Sequence, residues 1–162
     1  MKFYLVTCFN HSKINFLSRL IRWAEQSDSS HCEIMMIDFE GDKCFWGSVF
    51  PFSRLANEAE FLKSYTITGV KELKVTNYKK AVWYLNGQMA KPYSPIQIIF
   101  AGIKILSKIV FKKPFSVKLN LTKHLICTEL CANFMHDMCG IEFPENRDLV
   151  TISELKEKAG MR

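Results

Sequence analysis

Ser30-His31-Cys32-Glu33-Ile34-Met35-Met36-Ile37-Asp38 is the stretch on which the reading of this chain turns. It runs out of a polar segment, Glu25 to Ser30, into an apolar run of strand character, and Gly41 in Glu40-Gly41-Asp42 marks a turn into a partner run, Cys44 to Phe50, closed by Pro51. Two such runs joined by a tight turn predict a β-hairpin. A hairpin implies an antiparallel sheet, and His31 stands at one end of it.

The flanking sequence supplies the rest of that sheet and the helices to cover it. Lys2 to Phe9 carries one charge in a short apolar run and leads directly into Asn10, His11 and Ser12 without a small-residue cleavage site, so it reads as a first strand and not a signal peptide. Ser12 is placed to cap a helix over about 13–24, with Ile14, Leu17, Leu20, Ile21 and Ala24 on one face and Lys13, Arg19 and Arg22 on the other. A mixed segment follows Pro51, then a strand over 72–75. Thr76 or Asn77 caps a helix to about Lys91, stopped by Pro92, and Ser94-Pro95 opens another over 96–111. That helix is nearly all apolar, broken mainly by Gln97, Lys104, Ser107 and Lys108. The two lysines fall on one stripe, which argues for a broad amphipathic face and against a membrane span. A strand over 115–121, a helix from Cys127 to about Met138 ended by Gly140, and a last helix signalled by the capping-box spacing of Thr151 and Glu154 complete the chain. With no repeat or linker in view, residues 1–162 read as one α+β domain, an antiparallel sheet packed against helices.

Composition agrees with that plan. A chain of 162 residues with 48% apolar and 23% charged residues has enough apolar material for a core, which excludes a disordered chain. A net charge of +6 admits an anionic partner, whether membrane surface, cell-wall polymer or nucleic acid. The lysines at 104, 108, 112, 113, 118 and 123 lack a recognised reading motif, so a solvated basic face is expected and no specific nucleic acid. The cysteines at 8, 32, 44, 127, 131 and 139 lie in apolar runs, not in a disulfide-scaffold spacing, and point to a reducing cytoplasm. His124, Cys127 and Cys131 share roughly one helical face, but zinc usually draws on paired short knuckles and no Cys-x-x-Cys exists here. Neither a metal nor another cofactor is expected.

Cys127, in Ile126-Cys127-Thr128-Glu129-Leu130, stands at the start of a helical pattern, where unpaired amides and the helix dipole favour a thiolate. Paired with His31, it suggests a cysteine nucleophile and a histidine base. Duller readings stand beside these. Cys127 is also readable as a buried helix cysteine, like Cys131 and Cys139, and His31 as a satisfied histidine at a strand start, more exposed than a mid-strand residue. His11, His124 and His136 receive no role.

Taken together, Ser30-His31-Cys32-Glu33-Ile34 on a strand, Lys91-Pro92-Tyr93-Ser94 after a helix end, and Cys127-Thr128-Glu129-Leu130 opening a later helix resemble the NlpC-type papain-like cysteine hydrolases. The histidine hairpin precedes the cysteine, which is the order of the circularly permuted branch. That branch includes bacterial and phage amidase-like proteins and, more distantly, relatives of lecithin retinol acyltransferase. The resemblance covers most of the chain from about position 12 to 155. It implies a permuted papain-like fold with Cys127 as nucleophile and His31 as base and then acid. Tyr93 would lie near the site, adding a hydrogen bond to that of the Cys127 amide on an oxyanion. The clearest members place a polar residue on the strand after the histidine. In Cys44-Phe45-Trp46-Gly47-Ser48 the ordinary polar candidate is Ser48, and Glu33, two residues beyond His31 on the same strand face, is the alternative. Glu129 suits the helix dipole and stays outside the triad.

The expected activity is a thiol-dependent amidase or peptidase that cleaves peptide-like bonds through an acyl-enzyme. If the 96–111 helix dips into a bilayer with its lysines at the head groups, an acyl ester or thioester substrate becomes the better choice, with hydrolase or acyltransferase chemistry. A catalytically silent papain-like binding module is the third class.

Overall fold

The computed structural model describes residues 1–11, 16–94, 96, 97, 99, 100, 103, 107, 125–143 and 147–161. In chain order these form β1 (Lys2–Asn10), α1 (Phe16–Glu25), β2 (His31–Ile37), β3 (Lys43–Ser48), β4 (Ser53–Asn57), α2 (Glu58–Leu62), β5 (Tyr65–Leu73), α3 (Tyr78–Gly87), α4 (Cys127–Cys139), a 3-10 turn (Arg147–Leu149) and α5 (Ile152–Lys158). The strands make one five-stranded sheet in the order β4-β3-β2-β1-β5. Every neighbouring pair is antiparallel. The hairpin β2–β3 is in the register Ile34 to Trp46, and β1 pairs His31 with Cys8.

Alternation along the strands divides the apolar side chains between two faces. Phe3, Leu5, Cys32, Ile34, Met36 and Trp46 meet Leu130, Phe134 and Met135 of α4, Ala81 and Leu85 of α3, and Leu155 of α5. On the other face Val6, Cys8, Met35 and Phe45 cluster with Phe61 of α2. There Phe45 stacks on Phe61 at 4.2 Å between ring centroids, and Phe61 on Tyr65 at 5.2 Å. Each fully buried large side chain contributes roughly 1.5–3 kcal/mol to folding, so both clusters matter to stability.

The helix ends obey local chemistry. Asn57 and Thr151 close full capping boxes with Glu60 and Glu154, Asn77 accepts from the Lys80 amide, and Gly140 ends α4 in the left-handed region at φ 68°. Three sequence expectations are corrected. The mixed segment after Pro51 resolves into β4, α2 and most of β5, and the strand expected over 72–75 is the end of one beginning at Tyr65. β5 lies at the sheet edge with Ile67 and Val70 exposed, so it carries little of the buried alternation by which a strand is read. α3 stops before Lys91 because the chain there turns back to the sheet, with Ser53 N donating to Lys91 O at 2.9 Å and Ala90 N to Ser53 O at 3.1 Å.

Residues 96, 97, 99, 100, 103 and 107 are helical. Ser12 with its proposed cap, the strand expected over 115–121, and His124 lie outside the described residues. Among the described residues, no helix is long and apolar enough to cross a membrane.

Candidate active site

Cys127 is the first residue of α4, and no N-cap side chain closes the helix start. Ile126 precedes it in extended conformation (φ −110°, ψ 164°) and has no polar side chain to cap the opening amides. The helix start is fixed through Leu125 instead. Its amide donates to the Pro92 carbonyl at 3.0 Å, it bridges Tyr93, and its own carbonyl accepts from the Ser48 hydroxyl at 2.7 Å. One turn into α4, Glu129 Oε2 accepts from Gln97 Nε2 at 2.8 Å, which ties the helical residues after Ser94 to the same helix end. The Lys91–Ser94 stretch and the end of β3 thereby set the position of the cysteine.

His31 opens β2, and at a strand end a side chain can meet partners from both sides of a sheet. Its Nε2 donates to Glu33 Oε1 at 3.0 Å. Glu33 is fully buried, and Gly47 across the hairpin gives it room: a Cβ on Gly47 would collide with the carboxylate. Arg54 Nη2 stands 3.9 Å from the same oxygen. Tyr65 of β5 stacks on the imidazole with centroids 4.9 Å apart and 21° between planes. The ring is thus held at its edge by a carboxylate and on its face by an aromatic. The exposure expected for His31 is corrected: only 7% of it is exposed, since Tyr65 covers the strand end.

Cys127 couples to the same imidazole by charge and by side-chain hydrogen bonding. Burial by itself would lower the His31 pKa. The negative charge of a Cys127 thiolate, its hydrogen bond and the Glu33 carboxylate outweigh burial and push the imidazolium up to about 10. The Cys127 thiol is pushed up by a hydrogen bond with Cys32 first and by burial second, while His31 pulls it back down. Cys32 also hydrogen-bonds Cys131, so three sulfurs meet where α4 crosses β2. Sequence reasoning missed this cluster, although strand alternation already puts Cys32 on the face opposite Glu33.

Of the two candidates for orienting the imidazole, Glu33 reaches it. The Ser48 hydroxyl instead donates a hydrogen bond to the Leu125 carbonyl and so anchors the approach to Cys127. Ser48, His31, Tyr65 and Tyr93 together line a cavity of about 250 Å³, whose wall is completed by hydroxyl and amide side chains and by Ile21, Val49 and Phe50. The Tyr93 hydroxyl stays protonated, held up first by burial and then by the charge of Cys127, and is therefore a donor. Among the described residues, no group of three or more His, Cys, Asp or Glu side chains is placed to hold a metal ion. In this arrangement a thiol can pass its proton to an imidazole that a carboxylate keeps oriented, at the start of a helix. The chain matches no protein-family model and none of the curated proteins.

Proposed function

We propose that the protein is a cysteine hydrolase of the circularly permuted, NlpC-type papain-like kind, cleaving a peptide-like amide bond. The observation that carries this reading is the His31 imidazole held between the Glu33 carboxylate and the Cys127 thiol at a helix N-terminus. Cys127 gives its proton to His31, and the thiolate adds to the substrate carbonyl carbon. The resulting oxyanion accepts hydrogen bonds from the Cys127 amide and from the Tyr93 hydroxyl. As the C–N bond breaks, the imidazolium protonates the departing amine and leaves a thioester on Cys127. Water then adds to the thioester with His31 taking its proton, the C–S bond breaks, and the sulfur is reprotonated. A cytoplasmic location belongs to the same proposal and draws on six free thiols.

A silent binding module is favoured by one observation, the burial of the Cys127 sulfur beside Cys32, which holds the proton on sulfur. An acyl ester or thioester substrate draws on the apolar wall of Ile21, Val49 and Phe50. Iodoacetamide labelling followed by mass spectrometry separates enzyme from silent module. The hydrolase reading expects Cys127 to be alkylated well ahead of the half-buried Cys139, with a rate about a hundredfold lower in His31→Ala, the scale of a lost general base. Labelling of Cys127 no faster than Cys139 establishes the silent module.

A further inference from the structure

Two neighbouring rows of side chains cross the same three strands, and they differ at their middle position. In one row Met35 of β2, Phe45 of β3 and Ala56 of β4 are in register. Phe45 fills its centre, fully buried and stacked on Phe61. Two residues further along β3, on the same face, stands Gly47, in register with Arg54 of β4. The Glu33 side chain of β2 lies against Gly47 from the other side, in the space a Cβ there would occupy. Residues two strands apart have a third strand between them and backbones about 10 Å apart, so their side chains do not ordinarily meet. Over Gly47 they do. Arg54 Nη2 lies 3.9 Å from Glu33 Oε1, the same oxygen that accepts from His31 Nε2 at 3.0 Å.

That contact gives Arg54 a place in the site without giving it access to substrate. Glu33 is fully buried, and its Oε2 has no hydrogen-bond partner among the described residues, so what holds the carboxylate acts on Oε1. Among the described residues Arg54 pairs with no other carboxylate and forms no part of the cavity wall. At 3.9 Å the guanidinium acts by charge and not as a hydrogen-bond donor, and the buried carboxylate beside it strengthens that attraction. We infer that Arg54 is a positioning residue: reaching over Gly47, it fixes the Glu33 carboxylate against His31 and so sets the imidazole for Cys127. This role rests on the hydrolase reading of the site.

The test is a double-substitution cycle of Arg54→Met and Glu33→Gln, read as the iodoacetamide rate of Cys127 at neutral pH, with urea titration to establish that each variant is folded. In the parent background Arg54→Met is expected to slow alkylation about threefold. Arg54→Lys, which returns a cation, is expected to recover most of that loss. In the Glu33→Gln background Arg54→Met is expected to change the rate by less than about 1.5-fold, because the carboxylate through which the arginine acts is gone. A residue that merely steadied β4 would give the same loss in both backgrounds. Should Arg54→Met fail to fold, Arg54→Gln takes its place with the same expected direction. The inference is overturned if the arginine substitution leaves the parent rate unchanged, if its effect is equal in the two backgrounds, or if Arg54→Lys recovers nothing. The parent reads the hydrolase proposal separately. Alkylation of Cys127 no faster than that of Cys139 removes both, whereas fast, His31-dependent alkylation that ignores Arg54 removes the role of Arg54 alone.

Discussion

The two faces of β2 are equally buried and built for different ends. Toward α4 the strand presents Cys32 and Ile34, fully buried in the larger apolar cluster. On the other face it presents Glu33, also fully buried, whose Oε2 has no hydrogen-bond partner among the described residues. An apolar side chain gains roughly 1.5–3 kcal/mol from such burial, whereas a buried carboxylate costs several kcal/mol that one imidazole contact and an arginine at 3.9 Å do not repay in full. A residue chosen for stability alone at position 33 would be apolar. The α4 face therefore answers to packing, while the opposite face, at its His31 end, answers to the hydrogen bonding of a ring.

Substitutions on adjacent residues of the strand test that contrast. Ile34→Ala has the largest expected effect: it opens a cavity under α4 and lowers stability by about 2–5 kcal/mol in urea titration. The alkylation rate of Cys127 per folded molecule is expected to change by less than about twofold, because the Ile34 side chain offers no hydrogen bond or charge to Cys127, His31 or Glu33. Glu33→Gln is expected to do the reverse. It keeps the shape and removes the charge, so stability moves by only about 1 kcal/mol while alkylation at neutral pH slows about tenfold. Equal responses of both readouts to both substitutions would erase the distinction between the faces.

The same pair of variants tests the pH dependence. The His31 pKa is raised from 6.5 to about 10, against the lowering effect of burial, by Cys127 and Glu33. A raised folded-state pKa contributes stability that is fully present below 6.5 and is lost as pH rises through about 10. Because the Cys127 thiolate is itself one of those causes, His31 and Cys127 titrate as one coupled pair, and the loss belongs to the pair. Stability of the parent is therefore expected to fall across that range. Glu33→Gln is expected to flatten the fall, and Ile34→Ala to lower the whole curve without changing its slope.

How far the sequence discloses these two faces follows from how each is made. The α4 face is written in period: Cys32, Ile34 and Met36 recur at every second residue, as one face of a strand must, and the α4 end is marked by Gly140. Edge elements are not legible in this way. β5 turns Ile67 and Val70 to solvent, and α2 is too short for any periodic signal, so both were hidden inside a mixed segment. At the site, Cys127, His31 and Glu33 are placed by a helix start, a strand start and strand alternation, all local. The role of Ser48 depends on where a carbonyl from residue 125 arrives, and the cover over His31 on a ring from residue 65. Contacts between residues so far apart in the chain leave no spacing to read.

Cys32 sits on the border between the two faces, and its substitution has the smallest and sharpest expected effect. It packs with Ile34 under α4, yet its hydrogen bond is the largest influence raising the Cys127 thiol. Cys32→Ala removes one sulfur from the core, a stability loss of about 1 kcal/mol. It also leaves His31 opposed by burial alone, so the Cys127 pKa should fall. The iodoacetamide rate measured against pH is expected to shift its midpoint downward by about one unit or less, with the plateau unchanged. An unmoved midpoint would make Cys32 a packing residue and draw the boundary between the faces at the strand itself. An upward shift would mean that Cys32 helps the thiolate, which reverses the electrostatics argued for the site. The expected downward shift instead places one atom of the packed face inside the chemistry of the other, acting on the sulfur that Glu33 reaches only through His31.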